Sequence, residues 1–211
     1  MCIRDSFNMV GRIFWASMSD FIGRKPTYFI FFSLGILLYL SIPFTAKAMS
    51  IDPIVTYLIL FYAASMVIFT MYGGGFATIP AYLADIFGTK YVGGIHGRLL
   101  TAWSTAGVLG PVAITQLRQN SVDSAINDLV SKISPEKFTE IYGASVENLS
   151  LLVQEKTVTI SNLMPHMPEG TINPSTTLYN STMFAMAGLL AIAFVSNLLI
   201  GPVNEKHHMK E

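Results

Sequence analysis

Charge is what this chain has least of. Only 12% of its 211 residues are Asp, Glu, Lys or Arg, while 52% are hydrophobic; an average soluble domain carries about 25% charged residues. Mean hydropathy is +0.51. Roughly half the usual solvating surface is missing, which is the deficit of a protein that faces a lipid bilayer. Cysteine is scarce too. Cys2 is the single one, so an intrachain disulfide is excluded and a cysteine-ligated metal site is not indicated. Neither sign of charge dominates: 13 basic residues balance 13 acidic ones, the pI is about 6.9, and no basic footprint for a nucleic-acid partner is present. The apolar segments hold no nucleophile–base pair, histidine pair or carboxylate dyad, so nothing points to an enzyme. Gly73-Gly74-Gly75 lies inside an apolar segment and does not read as a phosphate-cradling loop. His96 reads as a loop residue, His166 falls in a polar segment, and His207-His208 reads as a solvated tail pair. No metal or cofactor is implied.

What the chain does have is long apolar runs. Residues 28–46 are 19 residues without a charge, 54–84 are 31, and 99–117 and 182–203 follow; residues 7–19 make about half a span. About 20 apolar residues cross a hydrocarbon core of about 30 Å. Lipid offers no partner to an unpaired backbone group, and runs without strict alternation do not suit barrel strands. The expected fold is therefore all-α and polytopic, with transmembrane helices across 7–117, an outer segment at 118–181, a last transmembrane helix at 182–203 and a tail at 204–211.

Basic residues orient these spans. Arg24 and Lys25, Lys90 and Arg98, and Lys206 and Lys210 fall on one side by parity, and that side reads as cytoplasmic. Residues 118–181 then lie outside. Within them Ser134-Pro135 reads as a helix start and Gly143 as its stop. Ser145 is placed to cap a second helix carrying Leu149, Leu152, Val153 and Ile160 on one face. Two or three short amphipathic helices are expected there. The first six residues, Met-Cys-Ile-Arg-Asp-Ser, back-translate to the end of a transposase sequencing adapter; 1–6 are expected to be a read-through scar.

Two places within the spans carry chemistry. Arg12 precedes Asp20 by eight positions, about 12 Å along a helix, which puts it near the midplane of the core. A midplane arginine needs a partner or an aqueous cavity. One reading is an anion site, where the guanidinium fork takes a carboxylate; the other is snorkelling, or an ion pair with an acid elsewhere. The second place is Gly73-Gly74-Gly75-Phe76, with Pro80 beyond. Each glycine costs a helix about 1 kcal/mol against alanine. Close helix packing and a bend at a substrate cavity both explain the triple. Tyr72 and Phe76 would wall that cavity, and Trp103 reads as either a further wall or a packing residue.

Between the first two apolar segments lies Ser19-Asp20-Phe21-Ile22-Gly23-Arg24-Lys25. The D-x-x-G-R-K form resembles the cytoplasmic loop motif of the major facilitator superfamily of secondary transporters, with Ala16 where the usual motif begins with glycine. The resemblance implies a gating role for Asp20, Gly23, Arg24 and Lys25. A closer resemblance is to the oxalate–formate antiporter family. It is carried by Gly11-Arg12-Ile13-Phe14-Trp15, by Gly73 to Pro80, by Phe87-Gly88-Thr89-Lys90-Tyr91, and by His96-Gly97-Arg98 to Gly110-Pro111. It implies a twelve-helix transporter of which this chain is the end of helix 8 through helix 12. The partners implied are a small organic anion, the bilayer and a missing N-terminal half of the same transporter. The family's oxalate carriers are expected to clamp a dicarboxylate between an arginine in helix 8 and a lysine in helix 11. Arg12 carries over. Residues 99–117 hold no ionisable side chain, and Trp103 stands about where the lysine would be. One fixed positive charge suits a monocarboxylate better than a dianion.

Overall fold

The computed structural model describes residues 2–51 and 55–201. The tail with Lys206, Lys210 and the His207-His208 pair lies outside the described residues. Among those described there is no strand. Helix α1 (Cys2–Ile22) is joined through Gly23 to α2 (Arg24–Ile51); α3 (Val55–Phe87), α4 (Val92–Val130), three short helices and α8 (Asn180–Leu199) follow. The short ones are α5 (Pro135–Tyr142), α6 (Leu149–Gln154) and α7 (Ile160–Leu163). Among the described residues three stretches are long and apolar enough to cross a membrane: α2, α3 and Pro174–Leu199. The protein is an all-α polytopic membrane protein, and its wide apolar exposure follows from that. Phe44, Leu189 and Leu199 are each more than half exposed because their solvent is lipid, not water.

The expected segments 28–46 and 99–117 lie wholly inside α2 and α4. Neither α1 nor α4 is among the three candidate spans. In α4 the reason is compositional: Thr101, Ser104, Thr105, Gln116 and the two glycines before Pro111 dilute its apolar residues. Helix α4 also runs on past 117 to Val130, because Ile126, Leu129 and Val130 find a core of their own.

That core lies at one end of the molecule. Ile126, Leu129, Val130 and Ile133 pack with Phe138, Leu152, Val158, Ile160, Leu163 and Leu178. Ser134 caps α5 by accepting from the Lys137 amide at 3.4 Å, with Pro135 at its first position, and Gly143 ends it at φ +67°. Leu149, Leu152, Val153 and Ile160 do share one packed cluster. They do so from two helices, because Lys156 at φ 58° breaks the chain between α6 and α7.

At the other end meet the α1–α2 turn and the last residues of α3 and α8. Lys25 Nζ donates to the Leu198 and Ile200 carbonyls, and Arg24 Nε lies 3.8 Å from Asp85 Oδ2. Helix α4 begins near this end, just after α3, and its 39 residues reach about 58 Å away. Residues 118–181 are thus at the opposite end from Arg24.

Between the ends, α1 crosses α3 at very close range. A Cβ at Gly11 would enter the Thr70 backbone, and one at Gly73 would enter the Asn8 carbonyl. Gly74 faces Trp15, whose Nε1 donates to Thr70 Oγ1 at 3.2 Å. Close packing accounts for Gly73 and Gly74, and α3 is a continuous helix through the triple and Pro80.

Candidate functional site

The turn motif folds as its chemistry dictates. Gly23 sits at φ +93°, where a side chain would be strained, so a single residue can turn α1 into α2. Its amide donates to the Ser19 carbonyl at 3.0 Å, and Thr27 Oγ1 returns a bond to the Gly23 carbonyl at 2.7 Å. Arg24 is drawn inward, with its side chain 17% exposed, by the Asp20 carboxylate, the Ser19 hydroxyl and the Ala16 carbonyl. Asp85, at the end of α3, is a further carboxylate near the guanidinium. Lys25 turns the other way and satisfies two carbonyls at the C-terminal end of α8, where a cation also complements the helix dipole. Asn197, 3% exposed, completes this clasp. Its Nδ2 donates to the Lys25 carbonyl at 3.3 Å and its Oδ1 accepts from the Tyr82 hydroxyl at 2.9 Å. Asp85, Tyr82 and Asn197 went unmarked in the sequence. Asp85 is the first charge after the apolar run at 54–84, which was the one signal available for it.

A cavity of about 390 Å³ opens between α2, α3, α4 and α8. Each helix presents one face to it. Helix α2 contributes Tyr28, Phe31, Phe32, Gly35 and Tyr39, α3 runs from Ile68 to Ile79, and α8 adds Met186 and Leu190. From α4 come His96, Leu99, Leu100 and Trp103, at spacings of three and four. Tyr72, Phe76 and Trp103 are brought together here: Tyr72 meets Phe76 edge-on at 5.2 Å between centroids, and Phe76 meets Trp103 at 5.7 Å. Behind them the backbone is held by hydroxyls. Tyr28 donates to the Gly75 carbonyl at 2.8 Å and Thr78 donates to the Gly74 carbonyl at 2.9 Å. Gly75 has nothing within 4 Å of a would-be Cβ and borders the cavity, unlike Gly73 and Gly74.

Arg12 does not line this cavity. It is exposed on α1, one residue round from the Gly11 face that meets α3, and has no ion pair or hydrogen bond among the described residues. His96, read from sequence as a loop residue, belongs to the second turn of α4, and its Nδ1 is buried without a partner. Its spacing to Leu99, Leu100 and Trp103 was the signal for a helical face. No group of three or more His, Cys, Asp or Glu able to hold a metal occurs among the described residues.

Over 108 residues, 51% of its length, the chain is 31% identical to the oxalate:formate antiporter of Oxalobacter formigenes. The chain spans about a quarter of that relative, 24% of its length. No protein-family model matches the chain. No solved structure matches it either. The similarity is to a transporter and not to an enzyme.

Proposed function

We propose that this chain is the C-terminal part of a major facilitator secondary transporter that moves a small organic anion, a mono- or dicarboxylate, across a bacterial inner membrane by alternating access. The observation that carries the reading is Arg12, an unpaired guanidinium on the open flank of α1, in a chain similar over half its length to an antiporter. An arginine at this depth calls for a counter-anion. On this reading a six-helix N-terminal half is the partner that closes the path opposite Arg12, and the Asp20–Arg24 turn switches between inward and outward states. A carrier of a non-anionic metabolite is the second reading, favoured by a cavity lining without an acidic, lysine or arginine side chain.

Proteoliposomes holding the complete carrier, challenged with a panel of labelled carboxylates, test the proposal. Uptake should be saturable and should fall at least about tenfold in Arg12→Gln, as expected when a charge-assisted bond is lost. Unchanged carboxylate uptake by Arg12→Gln removes Arg12 from the anion site, and the absence of saturable uptake of any carboxylate refutes the anion reading in favour of the second. The 211-residue chain alone should show no uptake, because alternating access needs two halves; saturable uptake by it would refute the division into halves.

A further inference from the structure

Lys156 is the backbone anomaly of the molecule. Among the described residues it is the one non-glycine with a positive φ, 58°, in the left-handed region that a side chain disfavours and lysine seldom enters. The position caps a helix. The Lys156 amide donates to the Val153 carbonyl at 3.0 Å, and the Thr157 and Val158 amides donate to the Leu152 carbonyl at 2.9 and 3.1 Å, closing the end of α6. Glycine is the residue such a cap favours. Strain held at a residue whose side chain borders a cavity points to a use for that side chain. The Lys156 ammonium has no ion pair or hydrogen bond among the described residues, so the fold does not use it. It borders a cavity of about 760 Å³ enclosed by the far part of α4, by α6 and α7, and by the chain leading into α8.

Arg118 borders the same cavity. Its guanidinium lies over the Tyr179 ring at 5.7 Å and has no acidic partner among the described residues. Asp123 is the one carboxylate in the lining, and its Oδ1 already accepts from Gln119 Nε2 at 2.8 Å. Two cations against one carboxylate leave the lining with one net positive charge. The floor is apolar, with Ile126, Val158 and Leu178 all buried. At the rim, the side chains of Gln154, Ser161 and Ser175 are unbonded among the described residues. The volume lies within the range of about 300–1,000 Å³ usual for small-molecule sites.

We propose that this pocket binds a small monocarboxylate whose apolar skeleton carries an amide or hydroxyl group. The carboxylate accepts from Arg118 and Lys156, the skeleton lies on the floor, and the polar group meets the rim. A neutral ligand forgoes the charge-assisted bonds. A dianion brings a second negative charge that Asp123 repels, and an inorganic anion leaves the floor uncovered. The site is apart from Arg12 and from the aromatic cavity, and it does not depend on the carrier reading.

The 211-residue chain in phosphatidylcholine nanodiscs, titrated calorimetrically with N-acetylleucinate, its neutral amide and inorganic phosphate, is the test. The carboxylate should bind saturably, and the other two at least about tenfold more weakly, the worth of a hydrogen bond to a charged group. Lys156→Gly is the deciding variant. Glycine takes a positive φ freely, so resistance to chemical unfolding should be equal or higher, while affinity for N-acetylleucinate falls about tenfold. Arg118→Gln, which leaves the cap of α6 untouched, should show the same loss of affinity. A Lys156→Gly protein that binds as tightly as the parent reduces the lysine to a poor cap and overturns the proposal. Equal affinity for N-acetylleucinate and its amide, or no binding of either, overturns it as well. Phosphatidylglycerol added to the nanodiscs should leave the affinity unchanged; loss of binding there would assign the two cations to a lipid headgroup instead.

Discussion

Two adjacent glycines should respond in opposite directions to the same substitution. A Cβ added at Gly74 falls 2.5 Å from the Trp15 Cβ, whereas carbon atoms rest at about 3.5–4.0 Å. Helix α1 would have to move away by about 1 Å. The neighbour is the stem of Trp15, itself 7% exposed and wedged edge-on against Phe31 at 4.9 Å, so it has nowhere to swing. Overpacking of this kind costs about 1–3 kcal/mol. Stretching the Trp15–Thr70 hydrogen bond adds about 0.6 kcal/mol, the mean for interhelical bonds in a membrane. Less the helix propensity that alanine recovers, up to about 1 kcal/mol, Gly74→Ala should therefore destabilise the bundle by about 1–3 kcal/mol. At Gly75 nothing lies within 4 Å, so Gly75→Ala meets no clash and recovers helix propensity, stabilising by up to about 1 kcal/mol. Reversible unfolding of the 211-residue chain in mixed micelles, followed by tryptophan emission and helicity, would measure both. Equal effects at the two positions, or a Gly74→Ala protein as stable as the parent, would refute the crossing of α1 over α3 as described.

Asp20→Asn should slow turnover of the complete carrier with little change in substrate affinity, because its carboxylate meets Arg24 at the turn and not the cavity; a large affinity loss at normal turnover would contradict this. Asn197→Leu should cost about 1–2 kcal/mol, summed over its bonds to Tyr82 and Lys25, and unfolding in micelles checks it; unchanged stability would rule out the clasp. In α5, burial pushes the Tyr142 phenol above its ordinary 10.0. The folded state thus favours the neutral phenol, a preference fully present below pH 10.0 and lost as pH rises through the folded-state value. Titration of tyrosinate absorbance in a Tyr142→Phe difference spectrum should show that phenol ionising late. Its hydroxyl is buried without a partner, so Tyr142→Phe should leave stability equal or higher.

The sequence by itself determined what depends on local chain chemistry. Apolar runs and scarce charge imposed helices, because a backbone in lipid must bond to itself. Gly23 marked the turn and Ser134, Pro135 and Gly143 marked α5, since caps and turns are read over three or four residues. Tyr72, Phe76 and Trp103 were singled out as possible walls from their places beside the glycine triple and in the fourth segment, and they do meet. What only the tertiary structure decided is everything that depends on which faces look at each other. Sequence allowed both close packing and a bend at a cavity for the three glycines; the crossing of α1 gave Gly73 and Gly74 the first, while Gly75 borders the open cavity on a helix that runs on unbroken. Arg12 was legible as a costly residue, yet its separation from the aromatic cavity follows from where α1 packs, since no residue of α1 lines that cavity. His96 and Asn197 each carry one polar side chain in a hydrophobic surround, and no local pattern distinguishes them from solvated residues. Their burial, and so their energetic weight, exists only once four helices close around them.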